Sequence, residues 1–375
     1  MTDRSGKYVL TPLGDRAESI RLSVYNALSG ETVSQFESST ENNIKSVEPT
    51  MSINCGWEDE IPKGGTIDIE DNENINWESV RISSWYRAKK IDGTWEEKKL
   101  GDWVPGTPTG SKEEGSKKRT IEVYDSNLIL KDDQITTTFI ANPGNKVVSL
   151  CSQLIESTGI TKYNIQYSEE TPRTMQSWPP GTPKLQVIQE LLSSINFTPL
   201  TMSWDGTLES HSMSGEDDGD PVLILSDDPD EGLGYFSSYE DEQDLFSVPN
   251  RWIGTTRSGG VLPGLLAVVE NLDPESPTSY QARGNRWVSS TTNEMEATSQ
   301  EILEEQLKKK LKESENATRT ITVTHPFYDI DLRDLVEFKN KEHATWVVGK
   351  VTDMSLNLTT PGVTCTTTLR VVRYL

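Results

Sequence analysis

Two short acidic runs, GEDDGDP at 215–221 and SDDPDEG at 226–232, bring the chain's hard oxygen donors closest together, and calcium is the chemistry such donors suit. Neither run has EF-hand spacing or that loop's distal glutamate. Acidic turn clusters are most often solvated, so the expectation for 215–220 and 227–231 is two wet turns without a metal. The three histidines, His211, His325 and His343, stand outside any pattern such as H-E-x-x-H. His325 precedes Pro326 at a strand end and His343 lies in a Lys/Glu-rich turn, which predicts turn or surface roles. Cys55, Cys151 and Cys365 lack the paired spacing of a zinc site or a disulfide framework. Cys151 on a helical stripe and Cys365 on a strand's inward face read as small core residues. No G-x-S-x-G elbow, P-loop or G-x-G-x-x-G occurs. Trp85, Trp95, Trp103 and Trp178 beside acids would suit a carbohydrate-binding face with envelope-degrading activity, though such tryptophans more often anchor cores and interfaces. The reading is a non-enzyme: no catalytic residue, no cofactor, no metal.

The totals point the same way. Fifty-nine acidic against 36 basic residues give a formal charge of −23, whereas nucleic-acid binding needs surplus Lys and Arg to displace counterions. The acidity reads as a solvated surface or as adaptation to a salty medium. No window reaches the roughly 18 consecutive apolar residues of a membrane span, and the N-terminal MTDRSGKYVL lacks the apolar centre of a signal peptide. A chain of 375 residues suits two or three domains.

The elements that would carry these residues are mostly strands. SIRLSVYN alternates Ile20, Leu22 and Val24; TIDIED and SVRISSWYRA repeat the pattern, with Gly64-Gly65 read as a turn. PGTPTGSKEEGSKK at 105–118 reads as a polar loop. From residue 141 the period changes to that of helices. Asn145 is expected to cap a helix with Val147, Leu150, Cys151, Leu154 and Ile155 on one side, ending at Gly159. Thr182 caps a second, Pro183 opens it, Leu185, Ile188, Leu191, Leu192 and Ile195 form its stripe, and a hairpin turns at Asp205-Gly206. Beyond the acidic runs come more strands. A long helix at about 298–314 follows, with Thr298 and Glu301 as a capping box and Leu303, Leu307 and Leu311 on one side. The predicted organisation is mainly β with a small α/β insert: β residues 1–140, an α/β unit at 141–212, and β residues 213–375.

The order of four stretches resembles the minor tail proteins of long-tailed viruses of actinobacteria and archaea, in the tail-tip or baseplate hub group. They are INWESVRISSWYRA with LGDWVPGTPTGS, RTIEVYDSNLILKDDQITTTFIANPGN, GTPKLQVIQELLSSINFTPLTMSWDGTLES, and the series from SVPNRWIG through TITVTHPFYDIDLRDLVEF to TTTLRVV. The resemblance implies two tail-tube-like β-barrel or sandwich domains around an α/β insert, assembled as a homotrimer in the virion. It implies contacts to a distal tail or tail-tube ring, the tape-measure protein and fibre or receptor-binding proteins, with DNA passing without sequence-specific binding. The acidity suits a virus of a halophilic archaeal host.

Overall fold

The computed structural model describes residues 18–37, 49–70, 75–89, 94–113, 116–236, 238–243, 246–256, 264–316, 319–359 and 362–374. The reading of the N-terminal ten residues lies outside that set. The chain is mainly β, built of large, predominantly antiparallel sheets with few helices. Its first third supplies β1 (Glu18–Asn26), β2 (Thr32–Glu37), β3 (Thr50–Gly56), β4 (Lys63–Glu70), β5 (Val80–Lys89), β6 (Trp95–Pro105), β7 (Thr109–Glu113) and β8 (Ser116–Tyr124). The alternation at Ile20, Leu22 and Val24 does what it implies: all three are buried, facing Tyr86, Ser84 and Ile82 of the antiparallel β5.

Two polar stretches depart from expectation. Residues 105–118 are not simply a loop, because β7 pairs with β8 from Thr109↔Thr120 to Ser111↔Lys118. A hairpin on a sheet margin satisfies its backbone through the ladder and needs no apolar payload. Gly64 and Gly65 do not turn; they lie inside β4, with Gly65 opposite Ile53 on one side and Val123 on the other. A Cβ on Gly65 would stand 2.0 Å from the Ser52 carbonyl oxygen, so the glycine is what lets two backbones approach. Gly65→Ala is expected to cost about 3 kcal/mol, at the upper end of overpacking, read as a lower denaturation midpoint. Gly64→Ala, whose Cβ would meet the Val123 oxygen at 3.2 Å, should cost less.

The middle segment supplies α1 (Asn127–Asp132), β9 (Phe139–Ala141), α2 (Val147–Glu156), β10 (Tyr163–Ile165), β11 (Gln176–Trp178), α3 (Lys184–Ser194), β12 (Thr201–Met202) and β13 (Leu208–Ser210). The helical stripes bury as their spacing requires, with Leu185, Ile188, Leu191 and Leu192 fully covered. The caps differ. Asn145 accepts from the Asn142 N–H at 2.9 Å and leaves α2 to start after an extended Lys146 without a side-chain cap. The Thr182 hydroxyl donates to the Pro179 carbonyl, and Pro183 sits one residue before α3 instead of inside it. The β12–β13 hairpin turns at Gly206 in the left-handed region (φ 89°).

The remainder supplies β14 (Leu223–Ser226), β15 (Tyr239–Gln243), β16 (Arg251–Thr256), β17 (Leu266–Glu270), β18 (Ser289–Met295), α4 (Gln300–Asn316), β19 (Arg319–Pro326), β20 (Leu335–Asn340), β21 (Thr345–Thr359) and β22 (Gly362–Tyr374). Among the described residues a 14-stranded sheet runs β15-β19-β22-β21-β3-β4-β8-β6-β5-β1-β2, with β7, β14 and β20 off that path. The β21–β3 pairing, Leu356↔Ile53 at its centre, thus joins strands from opposite ends of the chain. The main core is continuous through all three segments. A smaller one, Ala267, Leu303 and Leu307, lies between α4 and the sheet β17-β16-β18. The cap of α4 is Ser299 and not Thr298: Ser299 Oγ accepts from the Ile302 N–H at 3.2 Å, while Thr298 donates to Glu170.

Candidate functional site

The polar groups that matter here hold segments together. Lys63, the first residue of β4, is wholly buried. Its N–H donates to Asp125 Oδ2 (3.0 Å) and its carbonyl accepts from the Asp125 N–H (2.9 Å), clasping the start of β4 to the end of β8. Asp125 Oδ1 accepts from the Asn127 N–H at 2.7 Å, and Asn127 Nδ2 donates to the Leu200 carbonyl in the α/β segment. The Lys63 ammonium donates to Asp331 Oδ1 at 2.5 Å and lies 3.8 Å from the ring centre of Trp204. Trp204 Nε1 closes the circuit on the Ile330 carbonyl at 2.8 Å. The first third, the α/β hairpin and the 330–332 turn therefore meet at one desolvated cation. Burial pushes the Asp125 carboxyl up to about 6 against its N–H donors.

The first acidic run forms a second lock. Gly215 in the left-handed region (φ 74°) turns residues Glu216–Asp218 into a single 3-10 turn. Lys350 and Arg370 face each other directly across β21 and β22, a like-charge pair that needs compensation. Glu216 accepts from Arg333 Nε (2.5 Å), Arg333 Nη2 and Lys350 (3.3 Å), and Asp217 pairs with Lys350. Arg333 also stacks 3.6 Å over Trp57. Burial, reinforced by neighbouring cations, lowers Arg333 to about 9 and Lys350 to about 8. Both still carry charge at neutral pH. In the second run, Lys341 pairs with Asp228 (2.5 Å) and Glu231 (2.9 Å), and its N–H donates to Asp227. Lysine and arginine of the same chain thus engage Glu216, Asp217, Asp228 and Glu231 of the two runs. Among the described residues no group of His, Cys, Asp and Glu is arranged to hold a metal.

The tryptophans divide. Trp103 and Trp178 are core residues. Trp85 and Trp95 lie half-buried on neighbouring strands, with Arg21 at 4.2 Å from one ring and Arg87 at 4.9 Å from the other, and Glu97 bridges the two guanidiniums. All three cysteines are buried and free. His211 Nε2 sits 3.3 Å from Glu216, and the His343 N–H donates to Asn340.

His325 departs from expectation: it is fully buried, stacked on Tyr328 and bonded to Thr367 Oγ1 (2.9 Å) and the Pro326 carbonyl (2.6 Å). Burial pulls it down to about 4. Above pH 6.5 it is neutral folded or unfolded. Between 6.5 and 4 the unfolded chain takes up a proton that the fold refuses, so stability falls by about 1.4 kcal/mol per pH unit, roughly 3 kcal/mol by pH 4. Asp125 works in the opposite sense: from about 3.8 to 6 the folded form holds the extra proton, so acidification stabilises it there. The measurement is therefore a difference: His325→Gln should remove the His325 loss from the pH–stability curve, leaving the Asp125 contribution.

Lys63, Trp204, Asp331, Arg333 and Lys350 escaped the sequence reading. Lys63 stands between Pro62 and two glycines, and Asp331 in an acid-rich DIDLRD stretch, contexts that read as surface turns.

No family model matches the chain, and no curated protein sequence does. Solved structures do. A tail protein from Neisseria meningitidis MC58 superposes with a TM-score of 0.62 at 16% identity, covering 94% of this chain and 96% of its own. The 43 kDa tail protein of prophage MuSo2 from Shewanella oneidensis gives 0.61 at 11% identity, with 94% and 97% covered. A Francisella PdpA-VgrG complex gives 0.53 at 9% identity, covering 95% of this chain and 58% of that one. Over nearly its whole length the chain has the fold of these tail proteins.

Proposed function

We propose that this chain is a non-enzymatic structural protein of a virion tail tip, a baseplate hub. The observation that carries the reading is the two-way coverage of two tail proteins, 94% of this chain against 96% and 97% of theirs. Residues 1–140 and 213–375 form the load-bearing β units and 141–212 the spacer between them, fixed at Lys63 and Trp204. The hub is a homotrimer that closes the tail tube, meeting a tube or distal tail ring on one side. Tape-measure and fibre or receptor-binding proteins are its other neighbours, and DNA is delivered past it without specific contact.

Edges support assembly. Among the described residues the main sheet ends on β2 and β15, whose backbone groups remain open to a neighbour on one side. Glu240 and Glu242 on β15 would repel a second copy of that same edge, while Arg319 takes up Asp241 between them, which favours a different, complementary neighbour. The Trp85 and Trp95 rings each have an arginine against one face, which suits interface anchors better than sugar platforms. The charge of −23 is the feature that suits a host from a salty habitat.

Light scattering with negative-stain imaging of the purified chain tests the assembly. The expected result is a particle of three times the 41.9 kDa chain mass with threefold class averages. A monomer persisting at high concentration overturns the trimeric hub.

A further inference from the structure

A cleft of about 560 Å³ separates α3 from α4 and β18. Its apolar lining comes from Trp57, Pro199, Met213 and Met295. Two further lining residues, Asn196 and Gln306, are 5% and 8% exposed, and among the described residues Asn196 Oδ1 and Gln306 Oε1 have no hydrogen-bond partner. Their amide nitrogens are used: Asn196 Nδ2 toward Ser214, and Gln306 Nε2 toward the Ser193 and Glu296 carbonyls. Ser214 Oγ gives its own hydrogen to Glu305 and carbonyls can only accept, so this bonding orients both amides and leaves two buried acceptors without a donor. Buried acceptors are normally satisfied, and a native exception calls for a missing donor. Glu190, Glu296 and Glu313 on the same walls outnumber Lys309 and Lys310, so the cleft favours a cationic donor. Thr292, Asn293 and Met295 of β18 also line it, and among the described residues β18 is paired on one side only, with β16. An unpaired strand edge beside an apolar floor is the geometry of strand addition.

We infer that this cleft is a docking slot for an extended segment of a partner polypeptide. The segment adds to the free edge of β18 and places one arginine or lysine side chain between Asn196 and Gln306. The inference does not depend on the hub reading, since it concerns a slot within one chain.

The test is fluorescence anisotropy of the full chain against terminally blocked hexapeptides of alternating Val and Thr, each with one arginine moved through the six positions. One or two registers should bind at least tenfold more tightly than their Arg→Gln counterparts. Asn196→Gly removes the acceptor while suiting the left-handed backbone there (φ 57°), and should lower that affinity at least tenfold with the melting temperature little changed. Gln306→Leu should do likewise, although it also loosens α3 from α4, so Asn196→Gly is the decisive variant. Equal binding in every register, no binding at all, or unchanged affinity in Asn196→Gly overturns the inference. So does a neutral oligosaccharide occupying the slot where the peptides stay silent.

Discussion

Asp331→Ala is expected to lower the stability of the chain by about 3–5 kcal/mol, the usual cost of stranding one member of a buried ion pair. The size follows from asymmetry. The Lys63 side chain is 0% exposed and the Asp331 side chain 24%, so losing the carboxylate strips a buried ammonium of its ion-pair partner and leaves it against the Trp204 face. Losing the ammonium leaves a carboxylate that can still meet water and the Leu332 N–H at 2.7 Å. Lys63→Met should therefore cost less than Asp331→Ala, and the double variant should resemble Lys63→Met alone, because the stranded charge is gone. A structural consequence accompanies the energetic one. The junction ties three segments, so Asp331→Ala should split the denaturation curve, with the Trp204 part of the fluorescence, isolated by difference against a Trp204→Phe background among the ten tryptophans, changing before far-UV circular dichroism reports the sheet. Coincident transitions in every variant would show that the junction does not couple the segments.

Glu216→Ala should be nearly as costly, again about 3–5 kcal/mol. Glu216 is the shared acceptor for Arg333 and Lys350, whose side chains are 6% and 3% exposed. Asp217 remains for Lys350, but Arg333 keeps only its stacking on Trp57. Glu216→Gln retains acceptor capacity without the charge and should fall between wild type and Glu216→Ala. The second acidic run provides the control. Asp228 is partly exposed, pairs with an exposed lysine and accepts from the Asp230 N–H at 2.9 Å, so Asp228→Ala should cost no more than about 1 kcal/mol. Two runs that look alike in sequence would thus differ sharply in denaturation, which is the measurement to make.

That contrast marks the limit of what the sequence discloses. Apolar periodicity reports which side of a strand or helix is buried. On that basis the stripes at Ile20–Val24, Leu185–Leu192 and Leu303–Leu311, and the Asp205-Gly206 turn, were legible. Caps were displaced by a residue or two, as at Ser299, because several Ser, Thr and Asn compete locally for the same role. Gly64-Gly65 looked like a turn because glycine serves turns and close strand approach alike. Residues 105–118 looked like a loop because ladder pairing leaves no apolar trace. The locks were invisible for a different reason. Each depends on a charge finding its partner across the fold, Lys63 to Asp331 and Glu216 to Lys350, and no local pattern records which solvated-looking acid or base will be covered. The β3–β21 pairing is the extreme case, since it brings Asn54 within 3.1 Å of Ser355.

The location proposed above, a tail tip, is open to a direct test. Gold-labelled antibodies against the turn at Pro229, Asp230 and Glu231, which is exposed, applied to particles carrying the chain and viewed by electron microscopy, test it most directly. Label confined to one end of a tail tube is the predicted result. Label spread along the tube or over the capsid, or particles that lack the chain altogether, would contradict it.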